Sequence, residues 1–308
     1  MSKIAVLIPC YNEEVTITKV VNDFKKELPN ADIYVYNNNS IDKTEELAKK
    51  AGAIVVNEYK QGKGNVVRSM FRDIDADVYV MVDGDDTYPA SEVHKLVKVI
   101  EEKKADMVIG DRLSNGTYGS ENKRAFHGLG NDLVKNSVNF LFKTKLKDIM
   151  TGYRAFNRDF VKNFPVLSKG FEIETELTFH SLDRNYRIVE VPITYKDRPE
   201  GSFSKLNTFS DGFKVLFTIF RMFKDYKPFT FFAIIALILL VVSLCLGLPL
   251  FFEYFRTGIV TKFPTGILAT GIAICSLLLF SVGTVLDTIV RQHKEQLEIL
   301  RTINRKSL

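Results

Sequence analysis

Apolar residues in the first two thirds of the chain follow two alternating rhythms. Short unbroken runs occupy Lys3–Ile8, Ile33–Tyr36, Ala53–Val56, Val78–Val82 and Met107–Ile109. They predict strands, and Val78–Val82, which lacks the in–out alternation of a strand with one wet face, predicts one buried on both faces as in a parallel sheet. Between them, apolar positions recur at helical spacing: Val15, Val20, Val21, Phe24 and Leu28, then Val66, Val67, Met70 and Phe71. Further helices are predicted over Lys43–Lys50, closed by Gly52, and over Ser91–Lys103; a later strand is predicted over Ile188–Tyr195. Regular strand–helix alternation predicts an α/β fold, a doubly wound, mostly parallel sheet with helices on both faces.

The rhythm changes near the C-terminus. Phe229–Phe252 and Phe263–Leu286 are each 24 residues without a charge. Each exceeds the roughly 20 residues that cross a bilayer, so two transmembrane helices are expected. Ahead of them, Phe209, Phe213, Leu216, Phe217, Phe220 and Phe223 form one helical stripe, with Asp211, Lys214, Arg221 and Asp225 opposite. That pattern predicts an amphipathic helix lying at a membrane interface. Leu297, Leu300 and Ile303 in the tail also keep helical spacing, which makes a homo-oligomer a candidate assembly.

These patterns divide the chain into a globular domain over 1–206, a juxtamembrane helix over 207–227, spans over 228–252 and 263–288 joined by a short loop over 253–262, and a basic tail over 289–308. Arg221, Lys224 and Lys227 precede the first span; Arg291, Lys294, Arg301, Arg305 and Lys306 follow the second. The positive-inside rule then places the large domain and the tail in the cytoplasm and the loop outside, in the plasma membrane of the cell. Met1-Ser-Lys leads straight into a strand, so no N-terminal signal peptide is expected.

Composition changes the picture little. The net charge of +5 comes partly from the residues flanking the spans, and no arginine-rich patch is present, so nucleic acid is not an expected partner. Cys10, Cys245 and Cys275 form no disulfide framework, which points to a reduced compartment. His94, His127, His180 and His293 show no metal-ligand spacing.

The chemistry gathers at strand ends. Val78–Val82 runs into Asp83-Gly-Asp-Asp86. In an open α/β sheet the ligand sits outside the carboxyl ends of the strands. Clustered carboxylates there repel one another unless a cation neutralises them, and hard oxygen ligands suit Mg²⁺ or Mn²⁺. Asp83 and Asp85 are the expected metal ligands, while Asp86 is divided between that role and capping the turn before Pro89. No Gly-x-Gly-x-x-Gly follows the first strand, which disfavours a dinucleotide fold.

Pro9-Cys-Tyr-Asn-Glu-Glu14, Asn37-Asn-Asn-Ser-Ile-Asp42, Gly62-Lys-Gly64 and Asp83-Gly-Asp85 stand in order at successive strand ends. Asp148-Ile-Met-Thr-Gly-Tyr-Arg154, Gly170-Phe-Glu-Ile-Glu-Thr-Glu176 and Tyr195-x-x-Arg198-x-x-Gly201-x-Ser-x-Lys205 follow. This ordered set resembles the family 2 glycosyltransferases with the GT-A fold. With two C-terminal spans it is similar to the polyisoprenyl-phosphate group, which includes dolichol-phosphate mannose synthases and bacterial undecaprenyl-phosphate glucosyl- and N-acetylglucosaminyltransferases. The resemblance covers about residues 3–290.

The resemblance implies a nucleotide-sugar donor, with UDP-glucose or UDP-N-acetylglucosamine favoured and GDP-mannose as the alternative. It implies a polyprenyl phosphate acceptor, a lipid-linked sugar for cell-envelope glycans as product, and Mg²⁺ or Mn²⁺ as cofactor. Pro9, Tyr11, Asn12, Glu14 and Asn37 would surround the nucleoside, and Lys63 would contact a phosphate. Asn37 stands where the family commonly has an acidic residue, and Thr87 where some relatives have a glutamine that helps hold the metal. Arg198 and Lys205 would close on the diphosphate from a mobile lid. Arg112 and Arg124 would bind the acceptor phosphate, and Asp148 would orient a substrate or serve as base if one is used. Glu172 and Glu176 share one helical face and Glu174 points elsewhere, with sugar recognition as a role for some of them. An anionic acceptor needs no strong base, and direct attack inverts the anomeric carbon. A reading of another class is a non-catalytic scaffold that recruits a flippase; a flippase or a downstream glycosyltransferase is in either case a candidate partner.

Overall fold

The computed structural model describes residues 2–116, 127–202, 217 and 219–306. The chain divides into two compact units, Met1–Ile219 and Phe220–Leu308.

The first unit is built on a seven-stranded sheet. Its strands are β1 (Ile4–Cys10), β2 (Asp32–Asn37), β3 (Ile54–Asn57), β4 (Val78–Met81), β5 (Met107–Asp111), β6 (Arg154–Asn157) and β7 (Ile188–Pro192). They lie in the order β3-β2-β1-β4-β6-β5-β7. The unbroken apolar runs have a direct cause: the sheet is covered on both sides. Val6, Ile8, Val35 and Val80 point into one core with Val20, Val21 and Phe24 of α1 (Ile17–Glu27) and Val93, Leu96 and Val97 of α4 (Val93–Glu101). Ala5, Leu7, Tyr79 and Met81 point into the other, with Val67, Met70 and Phe71 of α3 (Lys63–Asp73) and Leu177 of a later helix.

The sheet is mostly parallel, as expected, with one strand reversed. Strands β1 to β4 pair in parallel, as do β5 and β7, but β6 runs antiparallel to both β4 and β5. Ala155 of β6 lies beside Val80 on one side and Val108 on the other. The chain fills β1, β2 and β3 toward one edge and then returns to β4 on the far side of β1. The carboxyl ends of β1 and β4 therefore flank the point where strand order reverses, the place such sheets use for ligands.

The remaining helices of this unit are α2 (Thr44–Lys50), α5 (His127–Phe142), α6 (Arg158–Asn163) and α7 (Ile173–Asp183). The region expected as one helix over Ser91–Lys103 is a 3-10 turn, Ala90–Glu92, leading into α4.

The second unit holds two long helices, α8 (Pro228–Thr257) and α9 (Phe263–Lys306). Both are long and apolar enough to cross a membrane, with mean hydropathies of 3.1 and 2.1 over their most apolar stretches. They pack as a hairpin. Ser243 Oγ donates to the Ala269 carbonyl at 2.8 Å and Ser276 Oγ to the Ala236 carbonyl at 2.7 Å. Hydroxyls bonded across apolar helices are satisfied inside the pair rather than left in hydrocarbon. The tail is not a separate helix: α9 runs without a break for 44 residues from the apolar stretch through the tail segment. Of the expected interfacial helix, residues 207–216 and 218 lie outside the described residues; residues 219–226 are helical, and Phe217 and Phe220 are exposed.

Candidate active site

Every turn at the carboxyl edge of β1, β2 and β4 contains a residue in the left-handed region: Asn12 (φ 54°), Asn39 (φ 62°) and Asp86 (φ 60°). Asn and Asp tolerate that region because their short side chains bond nearby backbone. The result is a set of tightly laced loops. Asn12 donates its backbone N–H to Ser40 Oγ at 2.9 Å and accepts from the Ile41 N–H at 2.9 Å. Asn38 accepts from the Gly62 N–H at 2.6 Å and donates to the carbonyls of Glu58 and Lys60. Asp42 receives the Glu14 N–H, and Thr16 donates to the Gly84 carbonyl at 2.6 Å.

Within this frame lies a continuous ionic group. Lys63, the first residue of α3, donates to Asp83 Oδ1 at 2.5 Å and to Glu174 Oε1 at 2.6 Å. Arg198, beyond β7, places Nη2 2.5 Å from Asp85 Oδ2 and Nη1 3.7 Å from Glu13 Oε1. Thr87 Oγ1 donates to Asp85 Oδ1 at 2.6 Å and so fixes the other carboxylate oxygen. Asp86 turns away to Lys19 at 2.7 Å, which removes it from this group.

The electrostatics follow from burial. Asp85 is 6% exposed. Desolvation holds its carboxyl above the usual range, with Asp83 adding to the effect and Arg198 opposing it. Glu174 is likewise held high by burial, against the pull of Lys63. Burial alone would lower the Lys63 ammonium, but the two carboxylates overcome it and hold it above the ordinary lysine value. Cys10, buried and facing Glu13, Asp83 and Asp85, is kept as a thiol.

Backbone packing fixes where Lys63 starts. Gly62 adopts φ 123°, and the Gly64 N–H bonds the Lys169 carbonyl at 3.0 Å. A Cβ on Gly64 would lie 2.2 Å from the Ser168 carbonyl, so only glycine fits. The 167–170 loop is held in turn by Glu176, which accepts from the N–H groups of Leu167 and Ser168, and by Glu172, which accepts from those of Lys169 and Gly170. Glu172 and Glu176 thus serve one loop while Glu174 faces Lys63.

A second pair adjoins the first. Arg112 donates through Nε to Asp148 Oδ2 at 2.7 Å and through Nη2 to Oδ1 at 2.9 Å, and its backbone N–H bonds Oδ2 at 3.1 Å. Tyr88 connects the two groups: its hydroxyl accepts from the Gly152 N–H at 3.1 Å, and Arg112 Nη1 lies 3.4 Å away. Burial pushes the Tyr88 phenol up to about 12. Gly152 lies against Asp83, where a Cβ would come within 2.3 Å of Oδ2. Arg154, fully buried, donates to the carbonyls of Ile149 and Thr151 and to Thr178 Oγ1, and so shapes the loop that carries Asp148. Burial lowers its guanidinium to about 10.

The structure therefore brings together Lys63, Asp83, Asp85 and Arg198, with Arg112 and Asp148 beside them. Tyr11 is exposed, and Pro9 lies in β1 opposite Tyr36. Glu14 is exposed and accepts from the Lys43 N–H. Asn37 is buried, with its amide donating to Asn57 and Glu45 and accepting from the Ser40 N–H. Arg124 and Lys205 lie outside the described residues. Glu13 and Tyr88 are additions to the site. The sequence pointed to the carboxylate one position later, Glu14, and only the left-handed turn at Asn12 puts Glu13 inward.

Among the described residues no group of three or more His, Cys, Asp or Glu is arranged to hold a divalent cation alone. Asp83 and Asp85 supply hard carboxylate oxygens at one strand end, which suits Mg²⁺ or Mn²⁺ completed by substrate phosphates and water. Both carboxylates already carry a cationic partner, as charges in a site built for a cation require. The residues fit such an ion.

Comparison with known proteins identifies the family and the fold. The model of the family described as "Glycosyl transferase family 2" matches residues 5–164. The glycosyltransferase AglJ of Haloferax volcanii is 33% identical over 297 residues, 96% of each chain. A dolichyl-phosphate hexose transferase of the same organism is 32% identical over 209 residues, 68% of this chain and 89% of its own. Among solved structures, glucosyl-3-phosphoglycerate synthase of Mycobacterium tuberculosis, in complex with Mn²⁺, UDP and phosphoglyceric acid, shares the fold with a TM-score of 0.59 at 20% identity, over 72% of this chain and 78% of its own. The chain is a glycosyltransferase and belongs to glycosyl transferase family 2, with a GT-A-like catalytic fold.

Proposed function

We propose that this enzyme moves one sugar from a nucleotide-sugar donor, UDP-glucose or UDP-N-acetylglucosamine, to a polyprenyl phosphate at the cytoplasmic face of a membrane. The observation that carries this reading is the co-occurrence, in one chain, of a carboxylate–cation group at the strand-order reversal and two helices able to span a bilayer. The dolichyl-phosphate hexose transferase supports it by name, as a relative that covers the catalytic unit.

Asp83 and Asp85 would hold Mg²⁺ or Mn²⁺, which neutralises charge on a diphosphate leaving group when bound. The chain supplies the rest. Lys63 and Arg198 bring two cations to the same place, and the forked donors of Arg198 suit a diphosphate. Thr87 fixes the orientation of Asp85. The laced loops after β1 and β2 offer Tyr11, Asn12 and the backbone around Ser40 to a nucleoside. Arg112 meets the acceptor phosphate and Asp148 holds Arg112 in place, so Asp148 acts as a positioning residue. The phosphate oxygen of the acceptor is already anionic, so attack needs no strong base and inverts the anomeric carbon.

The experiment is direct. Purified full-length protein is incubated with Mg²⁺ or Mn²⁺, a polyprenyl phosphate and labelled UDP-glucose, UDP-N-acetylglucosamine or GDP-mannose. A labelled lipid from a UDP-sugar supports the proposal; a labelled lipid only from GDP-mannose moves the donor to the alternative.

A further inference from the structure

Asp83 and Asp85 do not wait bare for a metal ion. Each is capped by a cation from a different element, and each of those cations lies beside a second carboxylate outside the pair. Lys63 bridges Asp83 and Glu174, at 2.5 and 2.6 Å. Arg198 lies between Asp85 at 2.5 Å and Glu13 at 3.7 Å. Lys63, Glu174, Asp85 and Glu13 have side chains less than 10% exposed. Among the described residues, this group holds four carboxylates and two cations.

The second partners matter because of burial. A metal ion that takes Asp83 Oδ1 competes with Lys63 for that oxygen. An ammonium left buried without a partner would be costly, but Lys63 keeps Glu174. Its backbone cannot retreat, since Gly62 is bonded to Asn38 and Gly64 to the Lys169 carbonyl, so only the side chain yields.

We infer that Lys63 and Arg198 are built-in competitors for the metal, that Glu174 and Glu13 are the positions to which they fall back, and that metal and donor diphosphate therefore bind synergistically. The inference rests on the reading that Asp83 and Asp85 hold the divalent cation. A diphosphate gives both displaced cations a new anion, which lowers the cost of displacing them. By linkage, the nucleotide tightens the metal as much as the metal tightens the nucleotide.

The test measures Mn²⁺ binding by the electron paramagnetic resonance signal of free Mn²⁺, on the full chain in detergent with no donor present. Lys63→Met removes the competitor and should tighten Mn²⁺ by about tenfold or more, the worth of one charge-assisted hydrogen bond. Glu174→Gln removes the fallback carboxylate, ties Lys63 more firmly to Asp83, and should weaken Mn²⁺ by a similar factor. A merely structural role for these two residues would weaken binding in both variants. The double variant Lys63→Met/Glu174→Gln removes both members of the buried Lys63–Glu174 pair, and should bind Mn²⁺ more tightly than Glu174→Gln even if Lys63→Met alone does not fold. UDP should tighten Mn²⁺ more in the wild type than in the double variant. Weaker or unchanged Mn²⁺ binding in both lysine variants overturns the inference while leaving the metal site intact. Asp85→Asn added to the double variant is the control: unchanged Mn²⁺ binding there overturns the metal reading itself, and the inference with it.

Discussion

Arg112 grips both carboxylate oxygens of Asp148, through Nε at 2.7 Å and Nη2 at 2.9 Å, in a pair whose side chains are 9% and 2% exposed. A carboxylate held this way has little left to offer as a base; in the proposed mechanism it aims the arginine. Asp148→Asn should therefore lower transfer while the pH–rate profile keeps its shape, and loss of the acidic limb would show that Asp148 is a base. Arg112→Met leaves a buried carboxylate unpaired, which costs about 3–5 kcal/mol. Thermal unfolding should show that loss largely recovered in Arg112→Met/Asp148→Asn.

Gly152→Ala tests the placement of Asp83. The new methyl would sit 2.3 Å from Asp83 Oδ2 and 2.8 Å from its Cγ. The carboxylate, at the end of a side chain, must swing aside. Displacements of this size cost on the order of 100-fold in rate when they move a reacting group. Transfer should fall by about that factor while thermal stability changes little; unimpaired transfer would remove Asp83 from the site.

Glu190 provides a pH-dependent signature. It accepts the N–H groups of Lys147 and Asp148 at 2.7 and 3.0 Å. Burial holds its carboxyl above the ordinary value of 4.5, and these two bonds only partly offset that. A carboxyl raised in the folded state binds protons more readily there than in the unfolded chain, so its contribution to stability declines as pH rises from 4.5 through the raised value. Glu190→Gln keeps an acceptor oxygen and removes the titration. The melting temperature of the variant should gain on that of the wild type as pH is raised from 4.5 to neutral, and a constant difference would contradict the assignment.

Topology is open to labelling. The span between α8 and α9, residues 258–262, should face away from the cytoplasm if the catalytic unit is inside. A single cysteine at Thr261, in a chain with its native cysteines replaced, should react with an impermeant maleimide on intact cells. Protection there with reactivity in inverted vesicles would reverse the orientation.

Much of this site can be read from the chain because strand ends are punctuated by residues with few alternative uses. Asp83-Gly-Asp85, Gly62-Lys-Gly64 and Arg198 each mark a place where the fold brings charge or bare backbone to one edge. Strand β6 was not legible. Its four residues, Arg154–Asn157, begin with an arginine, and nothing local says that a guanidinium will be buried against backbone carbonyls. Its antiparallel pairing is a long-range outcome of the sheet. Glu13 was hidden for a different reason: one residue of register, set by a left-handed asparagine, decides whether Glu13 or Glu14 faces the site. The roles of Asn37 to Ser40 were legible in kind, as short polar side chains that bond a turn, but their partners come from two other loops.

The central claim is transfer from a nucleotide sugar to a lipid phosphate at the Asp83–Asp85 pair. The measurement that tests it most directly is lipid-extractable label formed by purified wild type and Asp85→Ala with polyprenyl phosphate, a divalent cation and the panel of labelled donors. A labelled lipid from the wild type, abolished by chelator and by Asp85→Ala, is the predicted result. No labelled lipid from any donor, or undiminished product from Asp85→Ala, would contradict it.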